Sequence, residues 1–128
     1  MNKMIPHVYF KGNCLEAMNH YLHVFKGEVE NLDKFKDQPI DVSEEHHNKI
    51  YFCHFKSDYG EFYASDSIDE MESRQDFWIH FDQLEELEQV ALKLAKQEKL
   101  DFKQTVFGEH FVKFADPFGV HWTLITNL

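Results

Sequence analysis

The apolar pattern of this chain runs through the same series of elements twice, and that recurrence restricts the possible folds more than any other feature. Met4–Phe10 alternates as a strand does. Leu15, Met18, Leu22 and Phe25 then recur at helical spacing, and strand-like stretches follow at Glu28–Phe35, Lys49–Lys56 and Glu61–Asp66. Ser57-Asp58-Tyr59-Gly60 joins the last two as a hairpin loop. The order restarts with Asp76–Asp82, a stripe of Leu84, Leu87, Ala91 and Leu94, and strands at Asp101–Val106, His110–Phe114 and Val120–Thr126. Asn13 with Glu16, and Asp82 with Glu85, stand where capping boxes would open the helices, and Gly27 where the first would end. The series βαβββ thus occurs in a first module of about residues 1–67 and a second of about 76–128, joined by a loop over Ser67–Gln75. Residue identity between the halves is negligible, so architecture alone repeats. Such a pair predicts an α+β fold: tandem βαβββ modules forming an open, incomplete barrel around a cleft, with both helices outside, in one domain spanning 1–128.

Composition narrows the function. Hydrophobic residues make up 43% of the chain and 13 are Phe, which provides a core of the residues strands prefer. A net charge of −10 leaves no basic stripe to displace the counterions of nucleic acid or an anionic membrane, so neither is an expected partner. The acidic runs Asp41–Glu45, Asp66–Glu72 and Glu85–Glu88 read as solvated loops and helix faces. No stretch is long and apolar enough to span a bilayer, and a cytoplasmic protein is expected. Cys14 and Cys53 lack metal-type spacing and are expected as free, buried thiols.

Asp116-Pro117-Phe118-Gly119 separates two alternating segments as a tight reversal, with Asp116 placed to accept backbone N–H groups. This turn with His121-Trp122 after it, the opening Ile5-Pro6-His7-Val8-Tyr9-Phe10-Lys11-Gly12-Asn13-Cys14-Leu15-Glu16-Ala17, the later Tyr21 and Val24-Phe25-Lys26-Gly27, and Ala64-Ser65-Asp66-Ser67 fall in one order along almost the whole chain. Together they resemble the PhnB-like branch of the vicinal-oxygen-chelate superfamily, which also holds glyoxalases and bleomycin-resistance proteins. The resemblance implies a paired βαβββ fold, a small-molecule cleft and a homodimer. Members of the branch are often labelled demethylubiquinone methyltransferase-like. Here the five glycines are scattered and no glycine-rich loop joins strand to helix to hold a methyl donor, so methyl transfer is not expected.

Glyoxalase-type members of the superfamily hold a divalent ion through four inward-pointing residues, one each on strands one, four, five and eight. Carried onto this chain, the resemblance points to His7, to Tyr63 with Glu61 on the same face, to Asp76 or its neighbour, and to Thr123. Tyr63 and Thr123 supply no carboxylate, so the usual quartet is not intact. His7, Glu61, Asp76 and His80 remain as candidate metal ligands. His7, His80 and His121 with Glu61 or Asp76 form an alternative set of a kind suited to Zn²⁺, Ni²⁺ or Fe²⁺. With an ion bound, the chain would be a lyase, isomerase or dioxygenase. Without one, His7, Tyr9, Tyr63, Trp78, His80, His121 and Thr123 would be the wall of a cleft that binds a small organic molecule. A third reading is a structural dimer whose cleft is filled by side chains.

Other groups carry less. His46-His47 beside Glu44-Glu45 lies in the polar stretch Asp37–Asn48, where chelation would be adventitious, and His20 and His23 are expected to face solvent or a partner from the first helix. Ser65-Asp66-Ser67 has no glycine elbow to expose a nucleophile, so Asp66 is expected to organise the end of its strand. Cys53 and His54 point to opposite faces of one strand, which leaves the imidazole unable to activate the thiol.

Overall fold

A computed structural model describes residues 3–68 and 75–127, which divide into two compact units, Met1–Ser73 and Arg74–Leu128. Of the joining loop expected over Ser67–Gln75, residues 69–74 lie outside the described residues. The first unit runs β1 (His7–Phe10), α1 (Cys14–Phe25), β2 (Glu28–Lys34), β3 (Ile50–Ser57) and β4 (Gly60–Asp66). The second runs β5 (Asp76–Phe81), α2 (Leu84–Ala95), β6 (Lys103–Gln104), β7 (His110–Ala115) and β8 (His121–Thr126). Each is a four-stranded sheet not closed on itself, ordered β1-β4-β3-β2 and β5-β8-β7-β6, with the first strand parallel to the last and the other pairs antiparallel. The βαβββ series is therefore present twice, as α+β.

In the first unit α1 covers one sheet face with Cys14, Ala17, Met18, Tyr21, Val24 and Phe25. The expected stripe was rotated: Leu15 is 43% exposed, because the faces set by Tyr21 and Phe25 turn it outward. Tyr21 has no exposed surface and meets Phe10, Phe25, Phe55 and Phe62 with ring centroids 6.0–6.5 Å apart, in tilted and edge-on arrangements that aromatic quadrupoles favour. His20, expected to face solvent or a partner, is instead buried beside the Tyr21 ring. Cys14 and Cys53 are both free and buried, their Sγ atoms 4.0 Å apart between helix and sheet. The hydrogen bond with Cys53, then burial, pushes the Cys14 thiol up from its ordinary pKa.

The helix ends depart from expectation in an informative way. Asn13 makes no side-chain cap, because a carboxylate from the far end of the unit has taken its place. Asp66 accepts the Cys14 N–H through Oδ1 (2.9 Å) and the Ile50 N–H through Oδ2 (2.8 Å), tying the end of β4 to the starts of α1 and β3. The residue expected to head a solvated acidic run is thus buried. At the C-terminus Lys26, not Gly27, takes the left-handed conformation (φ 60°). Gly27 is required for closeness instead: a Cβ there would lie 1.9 Å from the Lys56 carbonyl oxygen.

The second unit repeats the plan with other residues. Leu87, Val90, Ala91, Leu94 and Ala95 bury the inner side of α2, and Val112, Trp122 and Leu124 are buried on β7 and β8. Asp82 does not cap α2. Its Oδ1 accepts from Asn127 Nδ2 (2.8 Å), fastening the end of β8 beside that of β5. Asp116 receives the N–H groups of Phe118 and Val120 through Oδ1 and the Trp122 indole N–H through Oδ2, which fixes the Asp-Pro-Phe-Gly reversal. The expected strand Asp101–Val106 shrinks to Lys103–Gln104, because Thr105 leaves the ladder: its Oγ1 accepts from the N–H groups of Phe107 and Glu109 and turns the chain. The polar stretch Asp37–Asn48 is also tied down, with a 3-10 turn at Glu44–His46, a Lys49 ammonium donating to His46 Nδ1 and the His47 Nε2–H donating to the Val42 carbonyl. Among the described residues no helix is long and apolar enough to cross a membrane.

Candidate functional site

Alternation along the strands leaves the second face of each sheet without a helix, and the residues on that face follow from the register. In the first sheet His7, Tyr63 and His54 form a row across β1, β4 and β3, with Tyr9–Ser65 on one side of it and Glu61–Lys56 on the other. The His7 ring stacks on Tyr9 (centroids 4.2 Å apart, planes 7° apart), and its Nε2 lies 2.8 Å from the buried Ser65 hydroxyl. Tyr63 and Phe52 meet it edge-on at 6.4 and 6.3 Å. Burial pushes the His7 pKa below the ordinary imidazole value, favouring the neutral ring. His7, Tyr9, Phe35, Tyr51, Phe52 and Ser65 are among the lining of a cavity of about 360 Å³.

His54, to which the sequence assigned no role, is a further polar group of this face. Its Nε2–H donates to Glu61 Oε2 at 2.6 Å, and the other Glu61 oxygen pairs with the Lys3 ammonium. Burial, then Lys56, lowers the His54 pKa, while Glu30 acts the other way. Strand parity was the signal available: a residue two places from Phe52 and one from Cys53 must share the Phe52 face.

In the second sheet the rows are Asp76–His121–Ala115, Trp78–Thr123–Lys113 and His80–Ile125–Phe111. Trp78 is 56% exposed, Thr123 is buried, and the Lys113 ammonium sits 5.4 Å from the Trp78 ring centroid. A cavity of about 480 Å³ is lined by Asp76, Trp78, Lys113, His121 and Thr123, with Phe114, Ala115 and Trp122 completing it. Sequence reasoning missed Lys113, a charge between apolar Val112 and Phe114 whose position already placed it opposite the core.

Within each sheet the described residues do not fit a chelated ion. Asp76 and His80 lie four residues apart on one strand, a separation of ~13 Å with Trp78 between them. His121 pairs with Asp76, so it stands equally far along from His80, and neither proposed ligand set gathers in this sheet. In the first sheet both Glu61 oxygens already have cationic or N–H partners. Among the described residues no three His, Cys, Asp or Glu side chains converge on a common point.

Comparisons with known proteins follow the same plan. A family model for 3-demethylubiquinone-9 3-methyltransferase matches residues 2–125. Protein PA1353 from Pseudomonas aeruginosa superposes with a TM-score of 0.83 at 24% identity, over 99% of this chain and 98% of that one. The PhnB protein from Bacillus cereus gives 0.79 at 22%, over 98% and 100%. Lactoylglutathione lyase from Agrobacterium tumefaciens gives 0.62 at 13%, over 98% and 93%. No curated protein matches by sequence. At these identities the likeness to solved structures is one of fold.

Proposed function

Because the chain belongs to the 3-demethylubiquinone-9 3-methyltransferase family, the PhnB-like branch of the vicinal-oxygen-chelate superfamily, we propose that it binds a small organic molecule on the helix-free faces of its sheets. The observation that carries this reading is the His7 site: an imidazole 2.8 Å from the Ser65 hydroxyl and stacked on Tyr9 at the wall of a cavity of about 360 Å³. Aromatic walls with a few convergent polar groups are what small ligands use. The binding residues are His7, Tyr9 and Tyr63 on the first sheet and Trp78, His80, His121 and Thr123 on the second. The protein works as a cytoplasmic homodimer, its two modules acting as one domain.

The family's description names methyl transfer, and the strand–helix junctions give that activity no support. Lys11-Gly12-Asn13 is the junction between β1 and α1, with a single glycine, and Asp82-Gln83 is the junction between β5 and α2. Neither offers the run of glycines that lets a backbone approach a nucleotide-bearing donor closely.

Saturation-transfer NMR with phenol, catechol and indole as probes tests the binding reading. The wild type is expected to bind at least one of them at millimolar concentration, with affinity reduced about tenfold in His7→Ala or Tyr9→Ala. Equal signals from wild type and both variants, or no binding at all, would overturn the reading.

A further inference from the structure

The second sheet carries a feature that general ligand binding does not require. The chain has 23 acidic and 13 basic side chains, and several of its lysines meet a carboxylate: Lys3 with Glu61, Lys56 with Glu30, Lys103 with Asp101. Lys113 does not. Among the described residues no acid lies within ion-pair distance of it, and its ammonium sits instead over one face of the Trp78 indole, 5.4 Å from the ring centroid. An ammonium so placed gains a modest cation–π attraction and keeps its charge available. It stands in one row with the Thr123 hydroxyl and an indole that is 56% exposed, on the wall of a cavity of about 480 Å³.

Resting on the ligand-binding reading, we propose that the row Trp78–Thr123–Lys113 binds a planar carboxylate. The conjugated ring lies on the indole, the carboxylate pairs with the Lys113 ammonium, and Thr123 supplies a hydroxyl between them. One cation matches one negative charge. The geometry sets the size: the Lys113 ammonium lies 5.4 Å from the Trp78 ring centroid, which suits one ring or two fused rings with a directly attached carboxylate. His121, in the adjacent row, borders the ring's edge.

The test compares 1-naphthoate with 1-naphthylmethanol, which keeps the ring and removes the charge, by titration calorimetry on wild type, Lys113→Met and Trp78→Leu. Both side chains reach the surface, and near-UV circular dichroism checks that the variants remain folded. Naphthoate is expected to bind wild type about tenfold more tightly than the alcohol, and Lys113→Met to remove that margin while leaving the alcohol unchanged. Added salt should weaken only the acid, and Trp78→Leu should weaken both compounds. Equal binding of acid and alcohol, or an unchanged acid affinity in Lys113→Met, would overturn the carboxylate assignment while leaving the broader reading in place. Binding of neither compound would overturn this site, and the His7 and Tyr9 variants with phenol, catechol and indole then judge the broader reading separately.

Discussion

The two sheets share strand order, pairing direction and helix placement, yet their helix-free faces have opposite characters. The central row of the first is His7–Tyr63–His54, and its polar groups are largely satisfied from within: His7 by Ser65, His54 by Glu61, and Glu61 by Lys3. The matching row of the second is Trp78–Thr123–Lys113, where an exposed indole meets an ammonium that has no carboxylate partner among the described residues. The cores differ as well, aromatic around Tyr21 in the first unit and chiefly aliphatic around Leu87 and Leu94 in the second. The topology constrains parity, which residue of each pair faces the helix, and leaves the other face free to acquire a different chemistry.

The largest effects should come from the cores. Tyr21→Ala removes the ring on which four phenylalanines converge and is expected to cost about 4 kcal/mol, against about 3 kcal/mol for Leu94→Ala in the second unit. Urea unfolding of both variants measures the difference. A smaller loss for Tyr21→Ala would mean that the aromatic core relaxes around the cavity and that the two cores are less unlike than their compositions.

Next come the two buried aspartates, which do related work at unrelated places. Asp66→Asn and Asp116→Asn each weaken bonds to buried N–H groups and should cost about 2 kcal/mol. Their signatures should separate. The first should speed amide exchange at Cys14 and Ile50, where α1 and β3 begin, and the second should shift the emission of Trp122, whose indole loses a charged acceptor. Loss of Trp122 emission in the Asp66 variant would show that the two ties are coupled.

These aspartates also mark what the sequence could express. The role of Asp116 was legible because donor and acceptor lie within six residues, inside one turn. The role of Asp66 was not, since it caps a helix 52 positions earlier in the chain. The local capping signals at Asn13 and Asp82 pointed to boxes that tertiary bonds displaced. Alternation assigns His7, Tyr63, Trp78, His121 and Thr123 to the faces opposite the helices, because a period of two fixes direction without any knowledge of partners. Distance along the strand was as available as direction: Asp76 and His80 share a face at a spacing no single ion can bridge. The Lys113 site needed the register, which brings β7 beside β8 and β5 beyond it.

The smallest effect should appear in the pH dependence of stability, and it bears on the first sheet. Burial lowers the pKa values of His7 and His54 below the ordinary imidazole value of 6.5 in the folded protein. Between the folded and unfolded values the unfolded chain therefore binds more protons, so stability rises with pH there. The contribution is fully present above about pH 6.5 and is lost as the pH falls through the lowered folded values. Thermal unfolding followed from pH 7.5 to pH 5 should show the midpoint falling on the acid side. His7→Asn with His54→Gln, which keep polar groups that do not titrate, should flatten that slope without steepening it anywhere. An unchanged slope in the double variant would place the acid sensitivity outside the His7–Tyr63–His54 row, and the contrast between a self-satisfied first face and an open second one would then rest on geometry alone.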